Sequence, residues 1–274
     1  DASGAPSGLL VEAAAWRLVN PIVPKPGDEE RRDALRAARR ACVEHGLTTV
    51  GSMEYMRIVR DVIEPLRGEP GPRCRVTMLD RGWPLDVSPA RDFDDDDRLA
   101  VIGCKAFIDG TLGSRTARML APYADAPGER GTLVELALDG HLEDWARGVL
   151  DAGLSPAMHA IGDEAVRMAL DVHDATGRSE RLRIEHGQQI DPSDVERCAD
   201  TWVSMQPLHK ADDARCLEQR LGRARLEGSF AFRVLLDAGA RLAFGTDWPV
   251  VPPDPIDTMR VAITGVDSSC LLYT

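Results

Sequence analysis

Four polar residues end or interrupt apolar stretches, and between them they carry most of the chemistry this chain offers. Lys105 lies in Val101-Ile-Gly-Cys-Lys-Ala-Phe-Ile-Asp-Gly110, His159 in Met158-His-Ala-Ile-Gly-Asp163, His186 in Ile184-Glu-His-Gly187 and Asp247 in Phe244-Gly-Thr-Asp-Trp-Pro249. Each histidine taken singly reads more readily as a hydrogen-bonded core or surface residue than as a ligand. Taken together, two imidazoles and a carboxylate form a mixed donor set suited to zinc or a similar divalent ion, one or two per site.

Lys105 is the unusual member. An ammonium inside a barrel loses hydration and is driven toward the neutral amine. A neutral amine can add carbon dioxide, and the resulting carbamate carries two oxygens and a negative charge able to bridge two cations. The plainer alternatives are a lysine that snorkels past the strand end or pairs with Asp109.

These residues need elements that bring them together. Short apolar, β-rich runs occur at Leu47–Val50, Arg75–Leu79, Val101–Ile108, Ser155–Ala160, Arg183–His186, Trp202–Gln206 and Arg241–Gly245. Helical patterns lie between them at Arg31–His45, His141–Ala152, Asp163–Thr176, Pro192–Asp200 and Gly228–Ala238. In the third of these helices Asp163 is placed to cap, Val166, Ala169 and Leu170 share a face, and Gly177 stands where a left-handed residue ends a helix. Strands alternating with helices predict parallel pairing through crossovers, and continuously apolar strands predict a sheet covered on both faces. The expected fold is α/β, a TIM barrel of the (β/α)8 type with seven strand candidates present, and its site belongs at the carboxyl ends of the strands.

The motifs Lys-Ala-Phe-Ile-Asp-Gly-Thr-Leu-Gly-Ser-Arg-Thr-Ala, Pro122-Tyr123, His-Ala-Ile-Gly-Asp, Ile-Glu-His-Gly-Gln, Ser-Met-Gln-Pro-Leu-His and Phe-Gly-Thr-Asp-Trp-Pro occur in this order. From about Gly8 to Ile263 the chain resembles amidohydrolase family 3, the group similar to N-substituted formamide deformylase. The resemblance implies a metal-dependent hydrolase of the amidohydrolase superfamily that attacks carbon–nitrogen bonds with a metal-activated water. It implies that Lys105 is the carboxylated lysine, holding carbon dioxide as a carbamate, and that His159, His186 and Asp247 are metal ligands. It also implies that Asp247 takes the proton of the attacking water, with an acid and an amine as products.

One departure stands out. Relatives with this layout bring a His-x-His pair from strand one, and the sequence contains none. Leu47–Val50 resembles the second strand of such barrels, so the expectation is a fragment lacking strand one and the accessory β domain. The barrel domain would occupy residues 1–265 and an atypical tail residues 266–274. An unpaired barrel edge predicts poor solubility, weak and substoichiometric metal, and no turnover until a strand ending in His-x-His is restored.

Further residues surround the presumed pocket. Arg115, in the long loop Gly110–Gly131, is placed to hold a substrate carboxylate or carbonyl, or to tie the loop down. Gln206 offers a polar contact or a strand-end hydrogen bond, His209 a pocket lining or a bland role, and Trp248 a pocket wall or core packing. Asp163 reads as a helix cap before a catalyst, and His45, His141 and His173 as helix residues with structural or solvent roles.

The bulk numbers fit a small-molecule partner. At 274 residues and 43% hydrophobic, the chain is long enough for one domain with a sizeable core. A net charge of −12 disfavours nucleic acid and anionic membrane surfaces. Six cysteines without a CxxC pair read as reduced thiols in a chain of the cytoplasm, and there is no apolar run of eighteen or more residues. Assembly with copies of itself is compatible with all of this.

Two rival functions share the same residues. A barrel lyase or aldolase would use Lys105 as a Schiff-base nucleophile, which borohydride trapping would reveal. A degenerate barrel would bind a ligand without turnover, which metal content would help to separate from an enzyme.

Overall fold

In the computed structural model the described residues are 8, 10, 14–80, 82–93, 97–178, 180–214 and 216–265, and the side chains of residues 16, 211 and 212 are excluded. The tail at residues 266–274 lies outside them. Seven strands form a single sheet in the order of the chain: β1 (Thr49–Glu54), β2 (Arg73–Met78), β3 (Leu99–Phe107), β4 (Ser155–Ala160), β5 (Arg183–His186), β6 (Trp202–Met205) and β7 (Arg241–Phe244). Every adjacent pair is parallel.

The apolar runs explain the strands. Val76, Val101, Met158, Ile184 and Val203 are each 2% exposed or less. Burying a side chain of this size stabilises the fold by about 1.5–3 kcal/mol. The covering layer includes the helices Leu142–Asp151 and Asp163–Ala175, whose Trp145, Val149, Val166, Ala169 and Leu170 join the same core as the strand residues.

The sheet is curled. Arg183 on β5 donates from a terminal guanidinium nitrogen to Thr77 Oγ1 on β2 at 3.3 Å. Strands three places apart in a flat sheet would stand about 14 Å from each other, and a side chain perpendicular to the sheet could not close that gap. The contact crosses the concave interior, where Arg183 also pairs with Glu185. The described residues therefore form part of a parallel α/β barrel.

Two expected helices are shorter than their sequence pattern. Pro192–Asp200 breaks into tight turns at Pro192–Asp194 and Glu196–Cys198, and Asp200 adopts φ 59°. Gly228–Ala238 contributes a helix only at Phe232–Asp237. In the second case Phe230, at φ 49°, sends its N–H to the Gln188 carbonyl at 2.8 Å, and Gln189 bridges Ser229. Pairing with a distant strand exit outweighs local helix propensity there.

The long loop after β3 is held from below and within. Asp109 accepts from the N–H groups of Arg118 at 2.8 Å, Ile161 at 3.0 Å and Gly162 at 2.8 Å. A second apolar cluster, with Leu112, Met119, Tyr123, Ile161 and Leu221, packs beneath the loop. Asp163 is the first residue of its helix, with Gly162 at the cap position. Its carboxylate accepts from Leu120 N–H at 2.7 Å and Glu164 N–H at 3.0 Å, so it fastens the loop as well as the first turn. Gly177 ends the helix at φ 76°, the left-handed conformation its position called for.

Candidate metal centre

The carboxyl ends of β4 to β7 gather the candidate residues. Registry pairs Phe107 with His159 and His159 with Glu185, so these neighbours share the concave face with Lys105, which pairs with Ala157. Strict alternation along β5 would then turn His186 to the opposite face. His186 instead has φ 74°, rare for a residue with a side chain, and its ring lies 4.5 Å from the His159 ring, edge to face. The strained backbone at the strand end aims the imidazole into the site, and such strain is tolerated where surrounding contacts enforce it.

Asp247 reaches the same place from β7. The chain leaves β7 through Gly245, whose N–H bonds the Met205 carbonyl at 3.0 Å, and Asp247 sits at φ 53° in a turn closed by Val250 N–H on its carbonyl at 2.9 Å. Aspartate is one of the few side chains that visit this region readily.

His209 arrives by a different route. Gln206 ends β6, and Pro207, with its φ preset, opens the helix Pro207–Asp213 at once. This puts His209 in the first turn, its ring stacked 6.2 Å from that of His186. One donor atom from each of His186, His209 and Asp247 lies within 4.8 Å of the others. Tetrahedral zinc with bonds of 2.0–2.1 Å holds its donors about 3.4 Å apart, so small side-chain rotations would close this set on an ion.

Gln206 orients His186. Its amide nitrogen donates to the Ser204 carbonyl at 3.1 Å, which turns its Oε1 toward His186 Nδ1 at 2.7 Å. The imidazole must donate from Nδ1, and the lone pair is left on Nε2. Burial, with smaller contributions from the neighbouring His159, Lys105 and His209, drives the His186 pKa well below its ordinary value. The ring is neutral, the form that binds metal.

His159 and Lys105 lie beside this set with other partners. His159 Nε2 bonds the Gly110 carbonyl at 3.0 Å and stands 3.5 Å from Asp109 Oδ1, which leaves Nδ1 as its possible donor atom. Lys105 is 3% exposed, its Nζ lies 5.2 Å from the Phe107 ring centre, and its charge acts on Glu185. Burial alone would raise the Glu185 pKa, but the charges of Lys105 and Arg183 and a hydrogen bond with Ser204 more than reverse it. Lys105 therefore neither snorkels outward nor relies on Asp109 alone for a counter-charge. Its acidic neighbour, Glu185, is one the sequence reading did not single out, although it stands directly before His186.

The remaining candidates divide. Arg115 donates to both carboxylate oxygens of Asp125, at 3.0 and 2.8 Å, and Arg220 joins the same carboxylate. This pairing lies within the loop and is the kind of contact the second of its two expected roles, tying the loop down, would use. Gln206 is 6% exposed and engaged with His186 and Ser204. Trp248 is 45% exposed next to Asp247, which argues against core packing. A cavity of about 290 Å³ lined by residues including Thr48, Arg73, Asp97 and Arg98 opens at the amino ends of β1 to β3, away from the four histidine and carboxylate positions above.

Known proteins share this sequence pattern and architecture. The chain matches the amidohydrolase family model across residues 1–269. Protein LONG AFTER FAR-RED 3 of Arabidopsis thaliana is 33% identical over 283 residues, covering 95% of this chain and 48% of that protein. The putative amidohydrolase YtcJ of Bacillus subtilis is 32% identical over 283 residues, covering 96% of this chain and 51% of that protein. An uncharacterized metal-dependent hydrolase of Pyrococcus furiosus superposes with a TM-score of 0.79 at 25% identity, covering 95% of this chain and 57% of that one. The chain thus spans about half the length of the curated relatives it matches. Since the family match runs through nearly every residue and is joined by two relatives above 30% identity, the chain belongs to the amidohydrolase family.

Proposed function

We infer that the site serves a metal-dependent hydrolase acting on carbon–nitrogen bonds of small, amide-like substrates. The observation that carries this is the convergence of His186, His209 and Asp247 donors within 4.8 Å at the carboxyl ends of a parallel sheet. Two imidazoles and a carboxylate fit a divalent ion, and zinc best matches the donor types. His186 and Asp247 would hold it, with His159 through Nδ1 and Lys105, as a carbamate formed with carbon dioxide, completing a fuller set. When bound, the ion acidifies water and polarises a carbonyl.

The chain's own residues supply the rest. Asp247 accepts a proton from the attacking water on a carboxylate oxygen and passes it to the departing nitrogen, so that amide and water become acid and amine. Gln206 keeps His186 in one tautomer throughout. Trp248, beside Asp247, contributes an apolar wall, and Arg115, paired with Asp125, ties its loop down.

The test is amine release from N-formyl and N-acyl amines by the chain in the presence of zinc. Release, lost in Asp247→Asn, supports the assignment. Stoichiometric zinc with no release contradicts it.

A further inference from the structure

We propose that Lys210 is a specificity-determining residue of this site, and that its ammonium binds a carboxylate which the amide substrate carries a few bonds from the scissile bond. The proposal rests on the hydrolase reading above and adds a substrate class to it.

The helix Pro207–Asp213 carries Lys210 between two anchored positions. Gln206, four residues earlier, accepts from His186 Nδ1 at 2.7 Å, and Asp213, three residues later, accepts from Gln188 Nε2 at 2.5 Å. Residues spaced by four and by three share one face of a helix, so Lys210 lies on the face that looks onto the end of β5. His209, its neighbour in the chain, stacks on His186 from the same turn. The flexible lysine stem then brings its charge to the rim of the group formed by His186, His209 and Asp247.

That charge has no counter-charge. The Lys210 side chain is half-buried, and no described carboxylate acts on it. The acids around it have other duties. Asp213 is held by Gln188, and on the helix Pro255–Thr264, which packs against this one, Asp257 pairs with Arg260. Asp254 caps that helix through the N–H groups of Ile256 and Asp257. Other cations near the site are already matched: Lys105 acts on Glu185, and Arg115 and Arg220 share Asp125. Half-burying an unpartnered ammonium costs hydration, and a bound anion offsets that cost through a charge-assisted hydrogen bond. In a chain of net charge −12, a local cation also draws an anionic substrate to the site.

The position bounds the ligand. Because Lys210 directly follows His209, the anionic group and the reacting carbonyl must lie close together in the substrate. One ammonium balances one negative charge, which favours a carboxylate over a phosphate dianion.

The experiment uses the zinc-loaded whole chain and two matched pairs of amides. N-formylphenylalanine against N-formylphenethylamine places the carboxylate on the amine side, and succinanilic acid against propionanilide places it on the acyl side. Affinity is read as KM where an amide turns over and by titration calorimetry where it does not. The parent should prefer the carboxylated member of at least one pair by about tenfold or more, the scale of a hydrogen bond between charged groups. Lys210→Met keeps the stem and removes the charge, so it should weaken the carboxylated ligand selectively and erase the preference. Lys210→Arg should restore part of it. The uncharged member of each pair reports on the fold: equal weakening of both members in Lys210→Met would mean a structural role and overturn the proposal. A parent without preference, a preference that survives in Lys210→Met, or binding of none of the four amides would overturn it as well. A preference that depends on Lys210 without hydrolysis of any amide would count against the hydrolase reading alone, and hydrolysis without preference would count against Lys210 alone.

Discussion

The amide oxygen of Gln206 lies 2.7 Å from Nδ1 of His186, while the amide nitrogen of the same residue is held by the Ser204 carbonyl at 3.1 Å. A side chain fixed at both ends can only accept from the imidazole. Gln206→Leu keeps much of the volume and removes the acceptor. The expected result is a zinc affinity about 10–100-fold weaker, with the fold retained, by calorimetric titration. An unchanged affinity would show that the His186 tautomer needs no such support.

His186 itself should fail to titrate where ordinary histidines do. Its pKa lies well below the usual 6.5, chiefly because burial disfavours the charged ring. Nitrogen chemical shifts of labelled imidazole should report a neutral ring protonated at Nδ1 from pH 8 down through 6.5. The depressed value also fixes the sign for stability. The unfolded chain takes up a proton near pH 6.5 that the folded chain refuses, so this group lowers stability as pH falls below that point. A ring that charges at pH 6.5 would contradict the geometry.

Glu185 is a buried carboxylate that pairs with Arg183 and is acted on by the charge of Lys105. Glu185→Gln leaves both cations without that carboxylate and should destabilise the fold by about 3 kcal/mol, the usual scale for breaking a buried ion pair. Adding Lys105→Met should recover part of the loss, since one of the two uncompensated cations is then removed. Denaturant unfolding of the two single variants and the double variant measures the coupling, and strictly additive losses would mean the two side chains do not interact.

The loop prediction turns on Asp125. The hydrogen bond from Arg115 holds its pKa at about 2, below the usual 3.8, with Arg220 adding to the effect. A depressed carboxylate stabilises the fold above about pH 4 and loses that contribution as pH falls toward 2. Asp125→Asn should therefore unfold at a lower temperature than the parent at pH 7, and the gap should narrow on going to pH 3. Arg115→Lys should show the same stability defect with KM little changed in an active form of the protein. A selective rise in KM would return Arg115 to substrate binding.

Much of this arrangement was legible in the residues. Strands such as Ser155–Ala160 and Arg183–His186 read correctly because near-continuous apolar character in a doubly covered sheet is a local property, and the polar residues ending them marked the site. The segment at Gly228–Ala238 misled because its backbone pairs with Gln188 and Gln189, far away in sequence. The lysine's acidic neighbour was hidden for a related reason: Glu185 faces Lys105 only once β3 and β5 curl around the interior. His209 carried the weaker signal, a histidine one helical turn after a strand end. Its nearness to His186 and Asp247 shows only once β5 and β7 are placed beside it.

Asp247 has two proposed duties that one substitution can separate. Asp247→Asn keeps an oxygen donor and loses the proton acceptor, so metal content should stay mostly intact while turnover falls by about a hundredfold or more. Loss of metal in proportion to activity would assign Asp247 to binding alone.

The most direct test of a divalent-ion site at these strand ends is X-ray absorption at the zinc edge of the chain loaded with one equivalent. The structure predicts at least two imidazole nitrogens at about 2.0–2.1 Å with a carboxylate oxygen at about 2.0–2.2 Å. A shell made only of oxygen, with no imidazole scattering, would contradict it.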